Sequence, residues 1–236
     1  MLKKRIIFTL LYENNNFILS RNFRLQKVGD LKWLKKNYDF SKISFYIDEL
    51  VVIDISRENI DTDLFCKNLK ILTSDSFVPV TAGGGVRRFD QCLKLLNSGA
   101  DKILLNTSLF ENNNLVLEIM KAFGRQCVVG SIDVKKNSNS NYDILSECGI
   151  KKEKQNLEEF LENFNFNLIG ELYLNSIDRD GTGQGYDFNM LNLLSKKMNI
   201  PVILAGGAGN STHLLEGLLD KRVDAVATAH LFNFIG

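Results

Sequence analysis

The 236-residue sequence carries little cysteine, no excess of charge of either sign and no long apolar run. Its four cysteines, Cys66, Cys92, Cys127 and Cys148, are widely scattered and none forms a Cys-x-x-Cys pair. That spacing gives no support to a disulfide framework, a zinc site or another metal site, and it predicts a reducing compartment. A formal net charge of +1 leaves no charge bias that calls for nucleic acid or a membrane. Met1-Leu2-Lys3-Lys4-Arg5 followed by Ile6 to Tyr12 faintly mimics a signal peptide, but the apolar run is minimal and no small-residue cleavage site follows. It reads as the first strand of a cytoplasmic protein. What is present is a 44% apolar content, enough to bury a large core, so residues 1–236 are expected to form one domain.

Strand-like runs fall near Arg5 to Tyr12, Glu49 to Ser56, Val78 to Ala82, Lys102 to Asn106, Gln126 to Val134, Glu171 to Ile177, Pro201 to Ala205 and Asp224 to Ala229. Helix-period segments lie between most of them: Leu31 to Asn37, Asp63 to Leu72, Phe89 to Ser98, Leu115 to Phe123, Leu157 to Phe164, Phe188 to Met198 and Thr212 to Leu219. Such alternation is the sequence form of a (β/α)8 TIM barrel, an α/β fold; a doubly wound open sheet is the alternative. An internal repeat favours the barrel. At an offset of 122, Glu49, Leu50 and Ile55 match Glu171, Leu172 and Ile177, and Val78 to Phe110 aligns without a gap on Ile200 to Phe232. The identities there include Pro79, Val80, Gly84 and Gly85 against Pro201, Val202, Gly206 and Gly207. Two fused half-barrels, about 1–122 and 123–236, explain the single offset.

Two segments depart from short connections. Glu13 to Asp30, with Asn14-Asn15-Asn16, reads as a long loop after the first strand on the face where such barrels hold active sites, a candidate lid. Lys135 to Asn156 is polar and reads as a variable surface loop, with a small hairpin around Tyr142 to Ile150 as the other reading. Gly83-Gly84-Gly85 after the third strand and Gly206-Gly207-Ala208-Gly209 after the seventh each precede a helix. Missing side chains there let backbone N–H groups approach a phosphate. Gly84, Gly85, Asn106 and Thr107 are expected to form one anion site. Asp180, Gly181, Gly206 and Gly207, with His230 ending the eighth strand, form the other, Asp180 positioning the loop rather than touching phosphate because two negative groups repel. A ligand phosphorylated at both ends follows. No organic cofactor is called for.

The chain resembles a known family: the cyclase subunit of imidazole glycerol phosphate synthase, with its sister isomerase of histidine biosynthesis more distant. The resemblance rests on Lys4-Arg5-Ile6-Ile7, Asp48-Glu49-Leu50-Val51, Gly83-Gly84-Gly85-Val86-Arg87, Gly99-Ala100-Asp101-Lys102, Asn106-Thr107, Ser131-Ile132-Asp133, Ser176 to Thr182 with Gly185-Tyr186-Asp187, and Gly206 to Gly209. It implies a (β/α)8 barrel that binds a bis-phosphorylated substrate at its C-terminal face and docks a glutaminase at its N-terminal face. Arg5, Glu49, Lys102 and Glu171 match the family's ammonia gate. Strand parity supports that placement, since Arg5 and Leu11 share a face and lie six residues, roughly 20 Å, apart. A salt-bridge plug that only seals the barrel is the plainer reading.

The resemblance breaks at the chemistry. The family cyclises with two carboxylates; one is kept as Asp133, which shares its parity with Cys127, Val129 and Ser131, but the other position is Leu11. A family lysine in the first loop aligns with Leu19, His230 stands where a small serine is usual, and the final helix is short or absent. Three readings stay open: a diverged paralogue that receives ammonia for another acceptor, such paralogues being associated with amidination of bacterial surface sugars; an authentic histidine-pathway cyclase; and a non-catalytic partner of a glutaminase.

Overall fold

The computed structural model describes residues 3–43, 45–58, 60–194 and 198–229. Eight strands run parallel around a closed circuit: Arg5–Glu13, Glu49–Asp54, Val80–Gly83, Lys102–Leu105, Val128–Lys136, Glu171–Ser176, Val202–Ala205 and Ala225–Thr228. The circuit closes because Ala225–Thr228 pairs back onto the first strand, with Arg5 opposite Ala225 and Phe8 opposite Thr228. The expected (β/α)8 barrel is thus the observed architecture, and the open-sheet alternative is excluded by that closing pair. Helices Leu31–Asn37, Thr62–Asp75, Phe89–Asn97, Asn113–Phe123, Leu157–Asn163 and Ser211–Leu219 cover the outside. Among the described residues no helix is long and apolar enough to cross a membrane.

Alternation along each strand divides the apolar residues into two cores, as the period of two demands. Phe8, Leu10, Leu50, Val52, Ile103, Leu105, Leu172 and Leu174 point outward beneath the helices in the larger cluster. Ile7, Val51, Leu104, Val129, Tyr173, Ile203, Ala225 and Ala227 point inward and fill the barrel. The buried parallel strands are accordingly almost continuously apolar, because both faces are covered.

Several expected elements are corrected. Glu13 to Asp30 is not a loop: strand one continues into an antiparallel hairpin, Asn16–Arg21 and Arg24–Gly29. Asn14-Asn15 and Asn22-Phe23 make its tight turns, all four residues having positive φ, the conformation that two-residue hairpin turns require and asparagine tolerates. Lys135 to Asn156 is likewise a sheet extension rather than a surface loop. The fifth strand runs on to Lys136 and pairs with Tyr142–Ser146, which pairs with Lys151–Asn156, so the hairpin turn falls at Glu147 to Ile150. Cys127 belongs to a short 3-10 turn and packs in the outer core, not inward with Val129. Of the helical segment expected over Phe188 to Met198, Phe188–Leu193 is a 3-10 helix, and residues 195–197 lie outside the described residues. The expectation that the final helix is short or absent concerns residues outside those described.

Leu50 is fully buried in the outer core, whereas Leu215 is 56% exposed on helix Ser211–Leu219. Leu50→Ala is expected to cost about 2–5 kcal/mol of unfolding free energy, and Leu215→Ala within about 0.5 kcal/mol of zero. Urea denaturation of both variants checks this, and similar losses at the two sites would contradict the packing described.

Candidate functional site

The N-terminal end of the barrel is closed by four charged side chains, one each from strands one, two, four and six. Arg5 donates from Nη1 to Glu49 Oε2 at 2.8 Å and from Nη1 and Nη2 to the two oxygens of Glu171 at 3.1 and 3.0 Å. Lys102 Nζ donates to both oxygens of Glu49, at 3.0 and 3.1 Å, and to Glu171 Oε1 at 3.0 Å. Thr81 Oγ1 gives Glu49 Oε1 a further bond of 2.6 Å. Two cations and two anions therefore alternate in a closed ring of zero net charge. Glu49 is 2% exposed, so these contacts replace its lost water. Burial alone would raise the Glu171 carboxyl, but Arg5 and Lys102 outweigh it and hold the group below the ordinary range. The Arg5 guanidinium loses stability to burial and regains more from the two carboxylates. Removing one member would leave a buried, unmatched charge, typically worth about 3–5 kcal/mol. All four residues expected at the gate are brought together here.

Above the ring lies the aliphatic interior, crossed by one hydroxyl contact, Thr9 Oγ1 to Tyr173 Oη at 3.0 Å. Beyond it the barrel opens into a cavity of about 490 Å³ at the C-terminal face, within the usual size of small-molecule sites. Asp133 lies on its floor. Asn175 Nδ2 donates to Asp133 Oδ1 at 2.7 Å, and Asn106 Nδ2 donates to Asp133 Oδ2 at 2.9 Å and to the Ser131 carbonyl at 3.0 Å. Burial without a cationic partner pushes the Asp133 carboxyl up to about 7, the two amides only partly opposing it. A carboxyl poised there can give or take a proton near neutral pH. The second expected carboxylate is missing in space as in sequence: Leu11 lines the same cavity, beside its register partner Ile53.

Both glycine turns also line the cavity. Gly84 has a φ of +100° and Gly207 of +112°; a Cβ on the first would overlap the Asp54 carbonyl, and one on the second the Gly185 carbonyl. Only glycine fits either place. Gly85, Thr107, Gly181 and Gly206 line the same cavity. Asn106 directs its side-chain amide to Asp133, and Thr107 Oγ1 accepts from the Glu147 N–H at 3.2 Å. His230 lies outside the described residues.

The hairpin after strand one forms one side of the mouth. Ser20 Oγ donates to Asp180 Oδ2 at 2.5 Å, the Phe23 N–H to the same oxygen at 3.2 Å, and the Asn22 N–H to the Asp180 carbonyl at 2.9 Å. Asn22 Nδ2 adds bonds to the carbonyls of Ile177 and Asp178. Asp180 thus fastens the hairpin to the loop after strand six, which suits a positioning role. Burial raises its carboxyl, with Ser20 and Phe23 pulling it back. Arg21 and Arg24 are carried to the rim on the hairpin, where Arg57 and Arg87 also line the opening. Sequence reasoning missed Asn175, the hairpin tip and these arginines. The signal for the tip was Asn22 alone, a residue that tolerates positive φ, in what reads as a hydrophilic loop.

Asp133 supplies a pH test. Its carboxyl is raised from an ordinary 3.8 to about 7, so the folded state holds the proton that the unfolded state releases, and stability falls as pH rises from about 4 to 7. Asp133→Asn is expected to be more stable than wild type at pH 8, with the gain vanishing towards pH 4. Three pKa steps convert to about 4 kcal/mol; on the order of 2 is expected, because the carboxyl opens to the water-filled cavity. Thermal melts across that range check it, and a gain independent of pH would contradict the assigned environment.

A family model described as histidine biosynthesis protein matches residues 36–234. The chain is also 44% identical over 236 residues to a protein of Parasynechococcus marenigrum (strain WH8102) named "Putative imidazole glycerol phosphate synthase subunit hisF2", covering 100% of this chain and 87% of that protein. With a closed parallel barrel, a four-charge ring at one end and a glycine-turned cavity at the other, the chain belongs to the histidine biosynthesis protein family and is a cyclase-subunit-type barrel within it.

Proposed function

We propose that this protein is a barrel that takes ammonia from a glutaminase and delivers it to an acceptor other than the cyclase substrate. Leu11 carries the reading. An aliphatic side chain cannot hold or pass a proton, and Leu11 lines the same cavity as Asp133. The ring of Arg5, Glu49, Lys102 and Glu171 has meanwhile kept all its partners. A chain that had become an inert scaffold would have no chemical reason to keep Asp133 with two amide donors on it, so the third reading is less well supported. The imidazole glycerol phosphate synthase named for the relative supports a glutaminase as partner, docked on the N-terminal face around the ring.

In this reading ammonia enters as the neutral molecule when the ring opens, because an ammonium ion would lose its water in the apolar interior above the ring without gaining a partner. It crosses the aliphatic interior, where Thr9 and Tyr173 offer the hydroxyl contact, and meets the acceptor beside Asp133. Gly84, Gly85, Asn106 and Thr107 make one anion site; Gly181, Gly206, Gly207 and His230, with Asp180 setting the loop, make the other. Asp133 takes up the proton that the attacking nitrogen releases. The doubled glycine turns support an origin from two half-barrels, 1–122 and 123–236, folded as one domain. Amidination of a surface sugar in the cytoplasm is an acceptor chemistry compatible with this arrangement.

Docking is the experiment. Co-expressed with a glutaminase subunit of the same source, the protein is expected to elute as a heterodimer on size exclusion at micromolar concentration, and Lys102→Glu is expected to weaken glutamine-driven turnover at least tenfold while ammonium-driven turnover is retained. Absence of a complex, or equal loss with both nitrogen sources, would contradict ammonia transfer and leave the ring as a seal.

A further inference from the structure

An eight-stranded barrel encloses just enough room for its own inward side chains, so its interior is a packed core and not a pore. Here that core separates the two ends. Leu104, Tyr173 and Ala227 of the inner apolar cluster line the cavity, as does Thr9. Among the described residues, Ile7, Val51, Val129, Ile203 and Ala225 of the same cluster are buried outside that lining, and the four charged residues of the ring are outside it too. A closed apolar layer therefore stands between ring and cavity. Opening the ring alone gives no path to Asp133.

Tyr173 is the one aromatic side chain of the inner cluster among the described residues, and it shares that cluster with three alanines from strands seven and eight, Ala205, Ala225 and Ala227. Small side chains there leave room that a long one fills. The Tyr173 hydroxyl meets Thr9 Oγ1 of strand one at 3.0 Å, past both of those strands, so the side chain bridges the bore. Successive inward positions of strand six are Glu171 in the ring, Tyr173, and Asn175 on the Asp133 carboxyl. We propose that Tyr173, latched by Thr9, is a second closure in series with the charge ring, and that a small neutral molecule passes from ring to cavity only while the phenol is swung aside. The inference rests on the ammonia-transfer reading above and deepens it, since the ring excludes by charge and Tyr173 by size. Burial raises the phenol above its ordinary range, so it stays neutral and the latch is an uncharged hydrogen bond, which adds little net stability and opens readily. Packed layer lies on one side of Tyr173 and open cavity on the other, so the ring has room to swing towards the cavity. Two closures in series keep water from running through the barrel when the charge ring parts.

A thiol placed in the closed layer tests this. Val51 is the register partner of Thr9 yet is buried outside the cavity lining. Val51→Cys is made in the full-length chain together with Cys148→Ser, because Cys148 lines the cavity and would consume reagent. The probe is methyl methanethiosulfonate, which is small and uncharged, and the rate of modification is read by peptide mass spectrometry. Tyr173→Phe and Thr9→Val, which keep the side-chain shape and remove the latch, are each expected to raise the rate at the introduced thiol about fivefold, the factor that one lost neutral hydrogen bond provides. Tyr173→Ala is expected to raise it further. Cys92, buried in the outer core, reports general loosening in the same digest and is expected to keep its rate. The proposal is overturned if the introduced thiol reacts as fast beneath intact Tyr173 as in Tyr173→Ala, if Tyr173→Phe and Thr9→Val both leave the rate unchanged, or if Cys92 rises in step, which is the mark of a residue that only packs. Should Tyr173→Ala fail to fold, the two shape-conserving variants decide. No glutaminase enters the measurement, so failure here is separate from failure of docking, which strikes the ammonia-transfer reading itself.

Discussion

Everything in this barrel is arranged around the closure of its N-terminal end by charges that have chiefly one another as partners. Glu49 is almost wholly withdrawn from water, and Arg5, Lys102 and Glu171 are mostly withdrawn. An isolated buried charge is too costly to persist, so each of the four fixes the positions of the rest. Because they come from strands one, two, four and six, their mutual contacts tie together strands far apart in sequence, Arg5 and Glu171 being 166 residues apart. The parity that turns these four side chains inward also turns inward the aliphatic layer above them, and then Leu11 and Asp133 at the mouth. Floor, interior and cavity are consequences of a single strand register.

At the other end the energetics are of a different kind. Asp133 has no cation to offset its burial, only two amide donors, and the carboxyl rises to about 7 as a result. Asn175 matters here as much as Asp133: with Asn106 it occupies one lone pair on each carboxyl oxygen and leaves the remainder for a ligand. Asp180 is buried too, but its Oδ2 accepts from Ser20 and from the Phe23 N–H, so that oxygen holds the hairpin.

Much of this was legible in the sequence because barrel strands obey a strict period. Apolar runs between turn signals located all eight strands to within about two residues at most ends, and parity alone put Arg5 and Leu11 on one face. What the sequence hid is where side chains compensate for unfavourable local preferences. Asn22-Phe23 is a poor turn by composition, since an aromatic residue resists positive φ; the three bonds to Asp180 hold it, and none can be read from neighbours in the chain. The hairpins after strands one and five were read as loops for the same reason, their strands being polar on the face away from the barrel, as Arg24–Gly29 shows. Cys127 was assigned inward by extending the strand's period two residues too far, into a turn that breaks it.

The central claim is that Leu11 has taken this barrel away from cyclisation while leaving the rest of its machinery in place. One assay addresses it directly: the histidine-pathway substrate is supplied with excess ammonium, which bypasses any glutaminase, and imidazole glycerol phosphate is measured. A missing acid/base group typically costs about 10²- to 10⁴-fold, so the predicted result is no product above background. Turnover near ordinary enzyme rates, about 1 to 10³ per second, would contradict the account and make the protein a working cyclase that tolerates Leu11.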